Sequence, residues 1–240
     1  MGDAHVTRPF ELEGAHAQIQ ATMSTLVGAG ITPISIGGDH SVTLPILRAL
    51  ACARQGKAPL SMIHIDAHCD TGDDYGGSRF HHGAPFKIAV DEGLIEPTRT
   101  IQIGIRGSLA FEGMWDFSQA SGMRVMDVDE CYDRGSTGVL AEIHRVVGRS
   151  PAYLSFDIDA LDPAFAPGTG TPEVGGLTTH FAQQLIRGLG VQAVDIVGAD
   201  LVEVSPPFDV GDITSLAGAN LMFEILCVVA QARARRGGLI

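Results

Sequence analysis

The chain has 240 residues, long enough for one large α/β domain with a sizeable core and too long for a mini-protein. Hydrophobic residues make up 45% and charged residues 18%, a balance that argues against intrinsic disorder. Asp and Glu number 28 against 16 Lys and Arg, giving a net charge of −12 with no basic block. That charge disfavours a nucleic-acid surface, which would track phosphates, and favours a cationic substrate.

In chain order, a helix is predicted over Glu11–Val27, a strand over Ile31–Ile36 and a helix over Val42–Arg54. A strand over Ser61–Ile65, a helix over Pro85–Glu92, and strands over Thr100–Ile105 and Arg124–Val128 follow. A helix over Thr137–Val147, a strand over Ala152–Ile158, a helix over Thr178–Leu189, a strand over Ile196–Val204 and a helix over Leu216–Ala232 complete the chain. This alternation predicts right-handed crossovers and a mostly parallel sheet covered on both faces, a three-layer α/β/α fold. No repeat, low-complexity tract or linker divides the chain, so residues 1–240 are expected to form a single domain. Cys52, Cys69, Cys131 and Cys227 form no CxxC, and neither a leader peptide nor an apolar span long enough for a membrane is recognised. A reducing, cytoplasmic setting is expected.

In parallel sheets, sites form at the carboxyl ends of the strands. Gly37-Gly38-Asp39-His40-Ser41 follows the first predicted strand and Asp66-Ala67-His68-Cys69-Asp70 the second; the strand over Ala152–Ile158 runs into Asp157-Ile158-Asp159. In extended chain, residues i, i+2 and i+4 point the same way, so Asp66, His68 and Asp70 are expected on one side, as are Asp157 and Asp159. Carboxylates gathered there repel one another unless positive charge sits among them, and two divalent cations would balance Asp66, Asp70, Asp157 and Asp159. With His40 and His68 added, the set is mostly hard oxygen with two imidazoles, which suits manganese or a similar octahedral-leaning ion better than a soft thiolate metal. His64, on the same strand side as Asp66, reads as a buried hydrogen-bonding partner rather than a ligand. Asp162, before Pro163, reads as a turn former, and His5, His16, His144 and His180 as surface residues.

These motifs, together with the run Ser155-Phe156-Asp157-Ile158-Asp159-Ala160-Leu161-Asp162-Pro163-Ala164-Phe165-Ala166-Pro167-Gly168-Thr169-Gly170-Thr171-Pro172, resemble the three signatures of the ureohydrolase family, the arginases and agmatinases. The resemblance extends from about Gly2 to the last helix and implies the arginase-type fold with two manganese ions. It implies that His40, Asp66, Asp70 and Asp157 hold one ion and that Asp66, His68, Asp157 and Asp159 hold the other, with Asp66 and Asp157 bridging. His82, followed by Gly83, matches the family's proton-shuttling histidine, and Glu203 matches the carboxylate that grips the guanidinium group; with Asp70 they form the implied catalytic set. The implied reaction is hydrolysis of a guanidino compound to urea and a primary amine. Agmatine, giving putrescine, is the expected substrate. A guanidino acid such as 4-guanidinobutyrate or 3-guanidinopropanoate is the alternative.

The loop from Thr71 to Phe80 lies between the second motif and His82, where the far end of a substrate would rest. Asp73 and Asp74 there could complement the distal ammonium of agmatine, and Arg79 the carboxylate of a guanidino acid. Family members usually carry some tens of residues before the stretch resembling Gly2–Val6, including a first strand. The expectation is therefore an arginase-type fold that lacks that strand, and a catalytically weak, metal-binding subunit stands as a further alternative. The resemblance also implies a homo-oligomer, trimeric or hexameric, with no nucleic-acid or membrane partner.

Overall fold

A computed structural model describes residues 2–8, 10–107 and 113–239. In chain order it contains α1 (Leu12–Gly28), β1 (Ile34–Ile36), α2 (Thr43–Ala53), β2 (Leu60–Ile65), α3 (Pro85–Asp91), β3 (Ile95–Ile105) and α4 (Asp116–Ser121). There follow β4 (Arg124–Asp127), α5 (Val128–Val147), β5 (Ala152–Asp157), α6 (Thr179–Val191), β6 (Ile196–Val202) and α7 (Ile213–Arg236). The strands form one six-stranded sheet in the order β1-β6-β5-β2-β3-β4, every neighbouring pair parallel.

Burial on both faces explains the near-continuous apolar strands: every residue of β2 and of β5 is buried. In β2, Ile63 and Ile65 join Leu154 and Phe156 of β5 under α5, α6 and α7, while Met62 and Tyr153 pack on the other face with Leu44, Leu47 and Phe86. These two cores are the interfaces between the sheet and the helical layer on each face, giving three layers as the alternation predicts. α7 is long and apolar enough to cross a membrane by length and composition. Here Leu221, Ile225, Val228 and Val229 bury it against the core it shares with β6 and α6.

Where boundaries differ, the backbone gives the reason. β3 begins at Ile95 rather than Thr100; Pro97 has no N–H to offer, and the pairing with β2 shifts register across it, from Leu60↔Ile95 to Met62↔Thr100. α5 begins already at Val128 and kinks at Gly135, whose φ of 64° interrupts the helical pattern. α4 is a short helix that the residue pattern does not reveal. β1 is an edge strand of three residues, unpaired on its outer side among the described residues.

Candidate metal centre and substrate site

The turn after β1 is tight. A Cβ on Gly37 would lie 2.9 Å from Val42 and 3.1 Å from Val202, so glycine alone fits there without displacement. Asp39 Oδ1 then accepts the Ser41 N–H at 2.9 Å and opens a 3-10 turn over His40–Val42 that buries the His40 ring.

The second and third motifs converge by a route other than simple alternation. β2 ends at Ile65, and Asp70 lies in the left-handed region with φ 50°, so the loop doubles back. The His68 N–H donates to Asp66 Oδ1 at 2.6 Å and the Phe86 N–H to the Asp70 carbonyl at 3.1 Å. β5 ends at Asp157, and a 3-10 turn over Ile158–Ala160 follows, with the Asp159 N–H on Asp157 Oδ1 at 2.9 Å.

His40 Nδ1 lies 3.1 Å from Asp66 Oδ2, 3.0 Å from Asp70 Oδ2 and 3.1 Å from Asp157 Oδ2. His68 Nδ1 lies 3.1 Å from Asp159 Oδ2 and 3.5 Å from Asp66 Oδ1. Besides His40-His64-Asp66, two groups of candidate ligand atoms result, His40-Asp66-Asp70-Asp157 and Asp66-His68-Asp159, and Asp66 belongs to all three. The first group contains the residues the resemblance assigns to one ion. The second contains three of the four assigned to the other. Asp157, the implied second bridge, is absent from it, and its Oδ1 is taken by the Asp159 N–H.

One layer down, the sheet fixes which proton His40 carries. Gln102, His64, Ser155 and Asp200 sit in register across β3, β2, β5 and β6, all buried. Asp200 accepts from Thr43 Oγ1 at 2.7 Å, Tyr153 OH at 2.8 Å and Ser155 Oγ at 2.6 Å. Ser155, with its proton given to Asp200, accepts from His40 Nε2–H at 2.8 Å. His40 Nδ1 therefore presents a lone pair, without a hydrogen-bond partner, to three carboxylate oxygens. Four acceptors aimed at one buried point fit a divalent cation. On the neighbouring strand Gln102 donates to His64 Nδ1 at 3.1 Å, so His64 Nε2–H donates to Asp66 Oδ2 at 2.6 Å, the partner role expected for it.

The proton affinities of these groups follow from the same crowding. Burial opposes charge on His40, but the carboxylates of Asp157, Asp66 and Asp70 facing Nδ1 outweigh it and raise its pKa well above the usual imidazole range, so the Nδ1 lone pair takes a proton wherever no metal ion occupies it. Burial again opposes charge on His68, and Asp159 and Asp66 push it up to about 12. Burial, then Asp159 and Asp66, push Asp157 well above the carboxylate range, and burial with Asp66 raises Asp159 to about 6. Groups that hold protons against their neighbours' charge mark a site that takes cations. Ser155→Ala removes the His40 N–H acceptor, and manganese affinity is expected to fall ~10–100-fold, measured by competition with a chelator.

Glu203 follows β6 with φ 64°, one of only four non-glycine residues with positive φ among the described residues, alongside Asp70, Ala193 and Asp212. Its Oε1 accepts the His40 N–H at 2.7 Å, so the first motif anchors it. His82, half exposed, points Nδ1 at the same Oε1 from 3.5 Å. The hydrogen bond to Glu203 raises the His82 pKa above 6.5, burial opposes the shift, and Asp70 adds to it. Gly72 closes the loop that carries His82: its N–H donates to the Gly83 carbonyl at 2.8 Å, and a Cβ there would lie 2.9 Å from that oxygen.

Asp73, Asp74 and Arg79 line a cavity of about 350 Å³ with Gly72, Lys87, Ile88 and Asp91. Asp73 is 87% exposed and 3.6 Å from Lys87; Arg79 is 51% exposed and 3.9 Å from Asp91. The structure thus sets these three beside α3. Lys87 is a cation of this cavity that sequence reading missed, as it missed Ser155, Asp200 and Gln102. Asp162 accepts the N–H groups of Ala164, Gly175 and Gly176, as a turn former should. His16 departs from the surface role expected of it: it is buried, with Nε2 3.0 Å from Ser41 Oγ.

A three-layer α/β/α fold with paired carboxylate and imidazole clusters at the strand ends fits a metal-dependent hydrolase. The Arginase family model matches residues 1–228, and the chain belongs to this family of ureohydrolases. It is 52% identical over 236 residues to the guanidinopropionase of Pseudomonas aeruginosa, covering 98% of this chain and 72% of that protein. It is 47% identical over 213 residues to the agmatinase of Cronobacter sakazakii, covering 89% of this chain but only 65% of that protein. Among solved structures, the proclavaminate amidino hydrolase of Streptomyces clavuligerus superposes with a TM-score of 0.90 at 42% identity, covering 96% of this chain and 75% of that one.

Proposed function

We propose that the chain is a manganese-dependent hydrolase of a short guanidino acid of the 3-guanidinopropanoate type, releasing urea and the corresponding amino acid. The observation that carries the hydrolytic reading is the lone pair of His40 Nδ1 set among Asp66, Asp70 and Asp157. The hard-oxygen donor set with two imidazoles suits manganese. When bound, the ions supply Lewis-acid charge and a water activated near neutral pH.

The protein's own groups do the rest. The Glu203 carboxylate, pinned through Oε1 by the His40 N–H, presents Oε2 to the guanidinium fork. His82 sits beside Glu203, holds a proton at Nδ1 and delivers it to the departing amine nitrogen as the bond from the guanidino carbon to that nitrogen breaks. His82→Ala is expected to lower kcat ~10²–10⁴-fold while manganese content stays unchanged. Because the protonated ring is the donor and its pKa is raised, wild-type activity should decline as pH rises through a value above 6.5, and the variant should lose that limb of its pH profile.

The guanidino-acid reading draws on the 52% identity to a guanidinopropionase and on the Lys87 and Arg79 cations of the cavity, either of which can meet a carboxylate. Asp73 and Asp74 in the same cavity favour agmatine as the second reading, in line with the similarity to an agmatinase. Parallel kcat/KM values for 3-guanidinopropanoate, 4-guanidinobutyrate, agmatine and arginine test this. A guanidino acid should be preferred by more than ~10-fold, about 1.4 kcal/mol of differential transition-state binding, and preference for agmatine would overturn the reading.

We also propose a cytoplasmic homo-oligomer, trimeric or hexameric. The apolar residues Leu216, Phe223 and Leu226 left exposed on α7 support self-association.

A further inference from the structure

Arg106 directly follows β3 and is 8% exposed, yet its hydrogen bonds among the described residues all go to backbone carbonyls. Nε donates to Val174 at 3.2 Å; Nη1 donates to Gly104 and Ala160, both at 3.2 Å; Nη2 reaches Asp159 at 2.8 Å, Leu161 at 3.2 Å and Glu173 at 2.7 Å. Three successive acceptors, the carbonyls of Asp159, Ala160 and Leu161, belong to the end of the 3-10 turn that follows β5, where carbonyls lack partners within the helix. Room for the guanidinium comes from Gly176: a Cβ there would stand 2.4 Å from Nη2. Burying a cation this way is costly unless its charge and its fork of donors are both used.

Both have a use at this position. The Asp159 carboxylate meets His68 Nδ1 at 3.1 Å, Thr171 Oγ1 at 3.1 Å and the Ala67 N–H at 3.2 Å, and its placement depends on the turn that Arg106 ties down. The His40-Asp66-Asp70-Asp157 group draws its residues from the turn after β1, the loop after β2 and the end of β5; the Arg106 guanidinium bonds none of these, and only its backbone N–H reaches the loop after β2, donating to the Ala67 carbonyl at 2.9 Å. We propose that Arg106 is a positioning residue for the Asp66-His68-Asp159 group: it sets the Asp159 carboxylate in place and its charge offsets part of the carboxylate repulsion there. The inference rests on the metal reading given above, and it separates the two groups: the second depends on Arg106 and the first does not.

Arg106→Lys keeps the charge and loses the fork, and Arg106→Gln loses the charge. Manganese bound per chain is measured by equilibrium dialysis, and electron paramagnetic resonance distinguishes a coupled pair of ions from an isolated one. Wild type should bind two coupled ions. Both variants should bind one isolated ion under the same conditions, with affinity for the second ion reduced more than ~10-fold and kcat lowered at nearly unchanged KM. Two coupled ions at wild-type affinity in Arg106→Lys would overturn the proposal. Failure of both variants to fold would overturn it as well, by placing Arg106 in the general scaffold. Wild type that binds no pair of ions would instead refute the metal reading itself, so the two failures are distinguishable.

Discussion

Asp66→Ala is expected to remove both manganese ions and to lower urea release more than ~10³-fold, since Lewis-acid stabilisation contributes several kcal/mol and each 1.36 kcal/mol is tenfold in rate. Asp66 is the residue common to both ligand groups. Its Oδ2 faces His40 Nδ1 at 3.1 Å and receives His64 Nε2–H at 2.6 Å, while its Oδ1 receives the His68 N–H at 2.6 Å. Truncation therefore opens both groups at once and leaves His64 without its acceptor. His68→Ala, which touches only the Asp66-His68-Asp159 group, should leave one ion bound. Metal analysis of the two purified variants beside a urea assay checks the contrast. An Asp66→Ala chain that still holds two ions would refute the shared-ligand geometry.

The second large effect is on stability. Asp66, Asp157 and Asp159 are buried close together, and burial first, then the charge of Asp66 on both and of Asp159 on Asp157, raises the pKa values of Asp157 and Asp159. Cations bound only by the folded chain stabilise it by linkage. At free manganese ~100-fold above Kd each site adds about 2.7 kcal/mol, and two sites should raise Tm by ~10–20 °C for a chain of this size. A thermal melt with and without manganese measures the shift, and excess chelator should reverse it. A shift under ~2 °C would mean that the carboxylates do not hold metal tightly.

The layers were legible from sequence because β2 and β5, buried on both faces, read as unbroken apolar runs, and because Gly- and Asp-bearing segments punctuate them. The ligand motifs were legible too, since each stands directly after such a run. Their mode of convergence was not: nothing in the residue at position 70 signals that an aspartate adopts φ 50° there. Ser155, Asp200 and Gln102 each left a trace, as single polar residues within apolar strands. Their alliance depends on β5 lying between β2 and β6, a register that local pattern does not encode. In sequence Arg106 is one charge at a strand end, and only the closeness of Gly176 and the turn at Ile158–Ala160 shows what it bonds. Lys87 meets Asp73 because α3 folds back beside the loop, a tertiary contact with no local signature.

The most direct test of the central claim is a titration of metal-stripped chain with manganese, following the rate of urea release from 3-guanidinopropanoate against manganese bound per chain. The account predicts no urea from the stripped chain, a rate that climbs to its plateau as the second ion binds, and loss of the rate on chelation. Full urea release without bound metal, or none with two ions bound and each of the four guanidino substrates supplied in turn, would contradict it.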